Sequence, residues 1–354
     1  MKRRAYESSP IPSQMEHAQY AFGVRDYIRY ENLLDSIRWD INDFVDWVAS
    51  DNPRTKYRNI ITQSGGDTSD YPENALETVF YPTNKIRLPV NKENVIKSGL
   101  VKEKDSDLIL DYIDIDLPES IITKNQIMML DILANNNWER PIYFTGGSYE
   151  EAEYIWMKDY LQLDGLVYKL VPIKTSIENN PYEMGRIDSD LMYDIVKKWS
   201  WGNSESDEIY HDPETRKNSI SFRGNLSRLS EKLISEGEYE KAEEILDLAF
   251  SKMPIDYYGY YSLWTPLVKS YYDIGKSEKV REIVQKLSFK YSDRLSYFSS
   301  LEIFNQYDVG EEIISDIERF RNLIETIQES GEREILADQI KSFISSSEQF
   351  NYIY

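Results

Sequence analysis

Two segments, LISEGEYEKAEEIL at 233–246 and YYDIGKSEKVREIV at 271–284, align on Gly237 and Gly275, a spacing of 38 residues. On either side of each glycine the apolar residues recur every three to four positions, which is the period of a helix with one buried face. Two helices joined by a glycine turn, repeated in sequence, cannot cover their apolar faces alone and must stack against their neighbours. Few features constrain a fold more, and they predict an all-helical repeat for the end of this chain.

The first unit carries Leu226, Leu229, Ser230, Leu233, Gly237, Tyr239, Ala242, Leu246, Ala249 and Pro254. These are the offsets of a tetratricopeptide repeat of about 34 residues, with small residues where paired helices approach closely. The second unit keeps Trp264, Leu267, Tyr271, Gly275, Val280, Val284 and Leu287 but lacks the closing proline. A third, around Gly331, keeps Phe320, Leu323, Ile327, Leu336, Ile340 and Phe343, after an extra helical segment at about 293–306.

The first 200 residues alternate differently. Helical stripes are expected at Tyr20, Val24, Tyr27 and Ile28 and at Ile41, Phe44, Val45 and Val48, then a long loop over 52–78 around an extended piece at 57–62. Beyond it come β-like runs at 85–90 and 108–117, a helix capped by Thr123 and stopped by Asn135-Asn136-Asn137, a strand at 142–144, a helix at about 149–162 and a strand at 166–171. Short connections between helix and strand predict a parallel α/β layer. A helix from about Asp188 to Trp199 follows. The expected organisation is an α+β or α/β domain at 1–200, an acidic linker at 201–218 and a helical-repeat domain at 219–354.

With 41 Lys and Arg against 62 Asp and Glu, the chain carries a formal charge of -21. Such a field repels phosphate backbones, so no nucleic-acid partner is expected. No apolar run of about 18 residues occurs, and the chain is read as soluble as it stands. There is no cysteine, which removes disulfides and thiolate ligands, and the two histidines, His17 and His211, are too far apart for a histidine zinc site. His211, in the acidic linker, is expected to be an exposed polar residue. No cofactor and no metal are expected.

Three further features could carry chemistry. Gly146-Gly147 between strand and helix resembles a phosphate cradle, but Glu150, Glu151 and Glu153 occupy the first helical turn and would repel an anion, leaving a tight corner. Asp114 and Asp116 lie two apart on a strand and could chelate a hard cation; the simpler reading turns Ile113, Ile115 and Leu117 to the core and both carboxylates to water. The run YYGYYSLW at 257–264 holds more tyrosine than packing requires. Tyr261 and Trp264 suit a helix face, and Tyr257, Tyr258 and Tyr260 are the candidate binding residues for a sugar or an extended peptide. No catalytic residue is singled out.

Taken together, MKRRAYESSPIPS at the start, VASDNP at 48–53, YPTNKIRLPV at 81–90, DILANNNWERPIYF at 131–144, YLQLDGLVYKLVPIK at 160–174, and GRID with DLMYD followed by WSWGN resemble the C-terminal soluble region of a bacterial family. Its members are large multi-spanning membrane proteins of unknown function, similar to lipid-sugar-dependent glycosyltransferases of the protein O-mannosyltransferase kind (GT-C type). The resemblance implies a part of a longer, membrane-embedded protein on the periplasmic face, whose spanning helices and early-loop acid do the chemistry; it carries no functional residue onto this sequence. The expected role is therefore a non-catalytic accessory and interaction domain binding a protein or glycan acceptor. The alternative is that the α/β part contributes directly to a mannosyl-transfer site.

Overall fold

A computed structural model of the chain describes residues 27–34, 37–145, 153–175 and 184–353. It divides into two compact units, one of Met1–Leu163 with Val167–Arg186, the other of Asp164–Leu166 with Ile187–Tyr354.

In the first unit the described elements are β1 (Tyr27–Tyr30), β2 (Trp39–Asp40), α1 (Ile41–Ala49), α2 (Tyr57–Gln63), α3 (Glu73–Leu76), β3 (Phe80–Tyr81), β4 (Lys85–Pro89), α4 (Lys92–Lys97), β5 (Tyr112–Asp116), β6 (Ile121–Thr123), α5 (Lys124–Asn136), β7 (Tyr143–Thr145), β8 (Leu161–Asp164) and β9 (Val167–Leu170). They form three small sheets, ordered β3-β1-β6, β2-β4-β5 and β7-β9-β8. Ile28, Ile41, Phe44, Ile86, Ile113 and Ile115 are fully buried.

Local signals explain the elements that match expectation. The carboxylate of Asp40 accepts from the Asn42 amide and starts α1, whose Ile41, Phe44, Val45 and Val48 are all buried. Thr123 and Gln126 form a reciprocal capping box on α5, and Asn137 ends it in the left-handed region at φ 44°.

Four expectations are corrected. The single parallel layer is replaced by mixed sheets: β1 with β3 and β2 with β4 are parallel, whereas β1 with β6, β4 with β5 and β7 with β9 are antiparallel. Tyr27 and Ile28 belong to β1 rather than a helix, because pairing on both edges outweighs a short helical stripe; Tyr20 and Val24 lie outside the described residues. The extended piece at 57–62 is instead α2, started by a tight turn at Pro53–Thr55 that the Asn52 side chain caps. Of the helix expected at 149–162, the described part is a 3-10 turn at Glu153–Tyr160 that passes directly into β8.

The second unit is all-helical over its described elements: α6 (Ser189–Val196), α7 (Pro213–Ser235), α8 (Tyr239–Lys252), α9 (Ile255–Tyr258), α10 (Thr265–Asp273), α11 (Ser277–Ser299), α12 (Ile303–Asp308), α13 (Gly310–Glu329) and α14 (Leu336–Ser347). Three consecutive pairs are made, α7 with α8, α10 with α11 and α13 with α14, and α10 packs between α7 and α13. The turn inside each pair uses a glycine in the left-handed region, Gly237 at φ 79°, Gly275 at φ 75° and Gly331 at φ 76°. Ser230 of α7 and Ser270 of α10 approach to 3.3 Å between hydroxyl oxygens, and Ala242 and Ala249 are fully buried.

The segment expected as a linker at 201–218 is helical from Pro213, where Asp212 caps the amides of Glu214 and Thr215. The extra helix expected near 293–306 is divided: α11 runs on to Ser299, and α12 follows. In the third pair Phe320, Leu323 and Ile327 are buried as expected, but Ile340 is exposed and Phe343 only half-buried. No later helix pair covers that face of α14 among the described residues.

Candidate functional site

The tyrosine-rich run does not form one helix. Ile255–Tyr258 makes a single turn, Gly259 breaks it at φ 64° and ψ −148°, Tyr260 sits in the left-handed region at φ 47°, and a 3-10 turn at Tyr261–Trp264 leads into α10. Backbone of this kind is strained for any residue with a Cβ and persists only where surrounding groups hold it.

The group that holds it is Arg223, from the middle of α7. Its side chain is fully buried; Nη1 donates to the carbonyls of Gly259 at 2.8 Å and Tyr260 at 3.3 Å, and Nη2 donates to the Ser219 hydroxyl. The guanidinium lies 4.8 Å from the centre of the Trp264 ring. Burial pushes it down to about 10, and it is still a cation at neutral pH.

Beside this loop is a cavity of about 390 Å³ whose lining includes Arg216, Tyr260, Tyr291, Arg294, Asp316 and Arg319. The Asp316 carboxylate, at 2% side-chain exposure, accepts from Arg294 Nε at 2.6 Å and from Arg319 Nη1 at 3.2 Å. Arg216 makes no ion pair among the described residues, and its Nε is buried without a hydrogen-bond partner. Tyr291 is 1% exposed, stacked on Phe320 at 5.5 Å and met edge-on by Tyr261 at 5.8 Å. Its hydroxyl also lacks a partner among the described residues, and burial raises its pKa well above the ordinary tyrosine value, so it is a neutral donor. Three guanidiniums against one carboxylate make a local cationic island in a chain of net charge -21.

The three tyrosines singled out in the sequence are placed differently from one another. Tyr260 is 45% exposed and lines the cavity. Tyr258 also lines it but is 3% exposed, its hydroxyl donating to the Ser204 carbonyl at 2.9 Å. Tyr257 lies flat against the His211 ring, 5.5 Å away and 6° from parallel. His211 itself is buried, with Nε2 2.7 Å from the Ser206 carbonyl oxygen, which corrects the expectation of an exposed residue: α9 brings both tyrosines over it.

Elsewhere, β5 alternates as expected, with Ile113 and Ile115 fully buried. Asp114 accepts from Arg87 Nε and Nη2 at 2.8 and 3.1 Å across the β4–β5 pair, and Asp116 accepts from Arg38 at 2.8 Å. Among the described residues no cluster of three or more His, Cys, Asp or Glu could hold a metal ion. Gly146, Gly147, Glu150, Glu151 and His17 lie outside the described residues.

Sequence reasoning missed Arg216, Arg294 and Arg319, which are scattered over three helices with no motif linking them. One signal was available: Arg223 falls on the same helical stripe as Leu226, Ser230 and Leu233, a charge on an otherwise buried face.

Residues 1–191 match the family TMEM260-associated domain 2. The chain belongs to that family. TMEM260-associated domain 2 is membrane-protein-associated by its description, and its match ends within α6, a few residues beyond the first compact unit at Arg186. The cavity therefore lies outside the matched segment. No helix among the described residues is long and apolar enough to cross a membrane. No curated protein and no solved structure matches the chain.

Proposed function

We propose that this chain is a non-catalytic accessory and interaction part of a membrane glycosyltransferase-like protein, placed on the extracytoplasmic, periplasmic side, whose tetratricopeptide-like helical unit binds a protein or glycan partner. The observation that carries the reading is the cavity beside Tyr260: a strained loop, held by a buried arginine, places a half-exposed tyrosine in the lining of a cavity that also holds three arginines. Strain held in place at a concave site is a feature of binding sites more than of plain scaffolds. The stacked helix pairs support it by supplying a frame, and the family's association with membrane proteins supports the membrane-protein setting.

The test is to screen the full chain against arrays of glycans and peptides, with Tyr260→Ala as the weakened variant. Binding that falls about tenfold or more in Tyr260→Ala, with an unchanged melting curve, is expected. Binding indifferent to Tyr260 would refute the site. Sugar transfer from lipid-linked mannose to a peptide by the isolated chain, above a heat-killed control, would refute the non-catalytic role.

A further inference from the structure

We propose that the cavity recognises an acidic sugar, that is, a sugar ring bearing a carboxylate or a phosphate ester. The inference rests on the reading of the helical unit as an interaction module and assigns the chemistry of its ligand.

Charge comes first. Arg294 and Arg319 are held in place by the buried Asp316, which occupies one nitrogen of each and leaves their other N–H groups for a ligand. Arg216 adds a third guanidinium with no ion pair among the described residues. Flat guanidinium forks match the paired oxygens of carboxylates and phosphates, and fixing them in advance removes the ordering cost of binding.

A second observation is independent of charge. The Tyr291 hydroxyl is buried at the cavity, neutral, and without a partner among the described residues. Buried polar groups are rarely left so, and an oxyanion acceptor would complete it. Tyr260 then supplies a flat, half-exposed ring in the lining, with an apolar face for a sugar's C–H groups and a hydroxyl for its polar edge.

An acidic peptide fits less well. The cavity, at about 390 Å³, is in the small-ligand range. Acidic residues flanking the bound one would meet the field of a chain at -21, whereas a small anionic sugar keeps its charge within the island.

Calorimetric titration of the full chain with glucuronate, glucose 6-phosphate, inorganic phosphate, glucose and an acidic nonapeptide tests this. Both charged sugars should bind, with glucose weaker by about tenfold or more, and inorganic phosphate weaker than glucose 6-phosphate because it lacks the ring. Arg216→Gln and Arg319→Gln should each weaken the charged sugars by about tenfold, while Arg321→Gln, which does not line the cavity, should not. Should Arg319→Gln melt early, Arg216→Gln decides, since it breaks no ion pair among the described residues. Equal affinity for glucose and glucuronate, phosphate as tight as glucose 6-phosphate, tighter binding of the nonapeptide, or no binding by any probe would each overturn the proposal. A partner from the array screen whose binding depends on Tyr260 but ignores Arg216→Gln would leave the interaction reading standing and remove only this one.

Discussion

Nη1 of Arg223 lies 2.8 Å from the carbonyl oxygen of Gly259, 36 residues further along the chain. This one contact ties the first helix of the first pair to the loop that opens the second. It satisfies carbonyls that a broken helix leaves bare, and it brings Tyr260 to the cavity.

Replacing Arg223 by Met keeps the volume but strands the Gly259 and Tyr260 carbonyls in a buried setting. The cost should be about 2–4 kcal/mol, read as a lowered melting temperature of the helical unit. Ligand affinity at the cavity should fall further than in any variant of equal stability loss elsewhere. An unchanged melt would mean the loop does not depend on the clamp.

Gly259 has no heavy atom within 4 Å of where a Cβ would stand, so Gly259→Ala meets no clash. Its φ of 64° and ψ of −148° lie in a region open almost only to glycine. The substitution should therefore cost about 1–3 kcal/mol through backbone strain alone. Gly224→Ala, at a helical glycine with equal free space, should be neutral or stabilising in the same chemical melt.

Ala242 is fully buried in α8, and Ala242→Leu should overpack the first pair by about 1–3 kcal/mol. Glu240, exposed two residues earlier on another face of the helix, should tolerate Ala with almost no change. Thermal melts of the two variants give the comparison; equal tolerance would contradict close helix contact at Ala242.

The Glu243 carboxylate is held below its ordinary value of 4.5 by Lys276, 2.7 Å away, and by Lys279, 2.8 Å away. A depressed carboxylate contributes stability that is complete above its unfolded value and lost as pH falls through the folded one. Both lysines belong to the second helix pair, so the contribution joins two pairs, and at this exposure it is at most about 1 kcal/mol. Glu243→Gln should melt below the parent at about pH 6, and the gap should narrow as the pH falls below the ordinary carboxylate value.

Asp114 already accepts two bonds from Arg87, so added Mg2+ would have to displace a guanidinium to reach it. Calorimetric titration should show no saturable Mg2+ binding that Asp114→Asn removes. Asp114→Asn itself should cost about 0.2–1 kcal/mol, the worth of a cross-strand ion pair at a partly exposed site.

What the sequence determined by itself is what neighbouring residues settle among themselves. The stripe Ile41, Phe44, Val45 and Val48, the capping box of Thr123 and Gln126, the alternation of Ile113 and Ile115, and the turns at Gly237 and Gly275 all act within a few residues. Their physics is local: period, cap geometry and positive φ. Tertiary structure decided the rest. Tyr27 and Ile28 became strand because partners 50 to 100 residues away supplied hydrogen bonds on both edges, as the pairs Arg29 with Phe80 and Ile28 with Ile122 show. His211 became buried because α9 folded over it, and Tyr257, Tyr258 and Tyr260 took three different roles because Gly259 turned the chain between them. The cavity is the extreme case. Arg216, Arg294 and Arg319 carry no mark of cooperation in sequence, since a helix fixes only which face each residue shares with its third and fourth neighbours, and the meeting of three helices is set by packing over the whole unit.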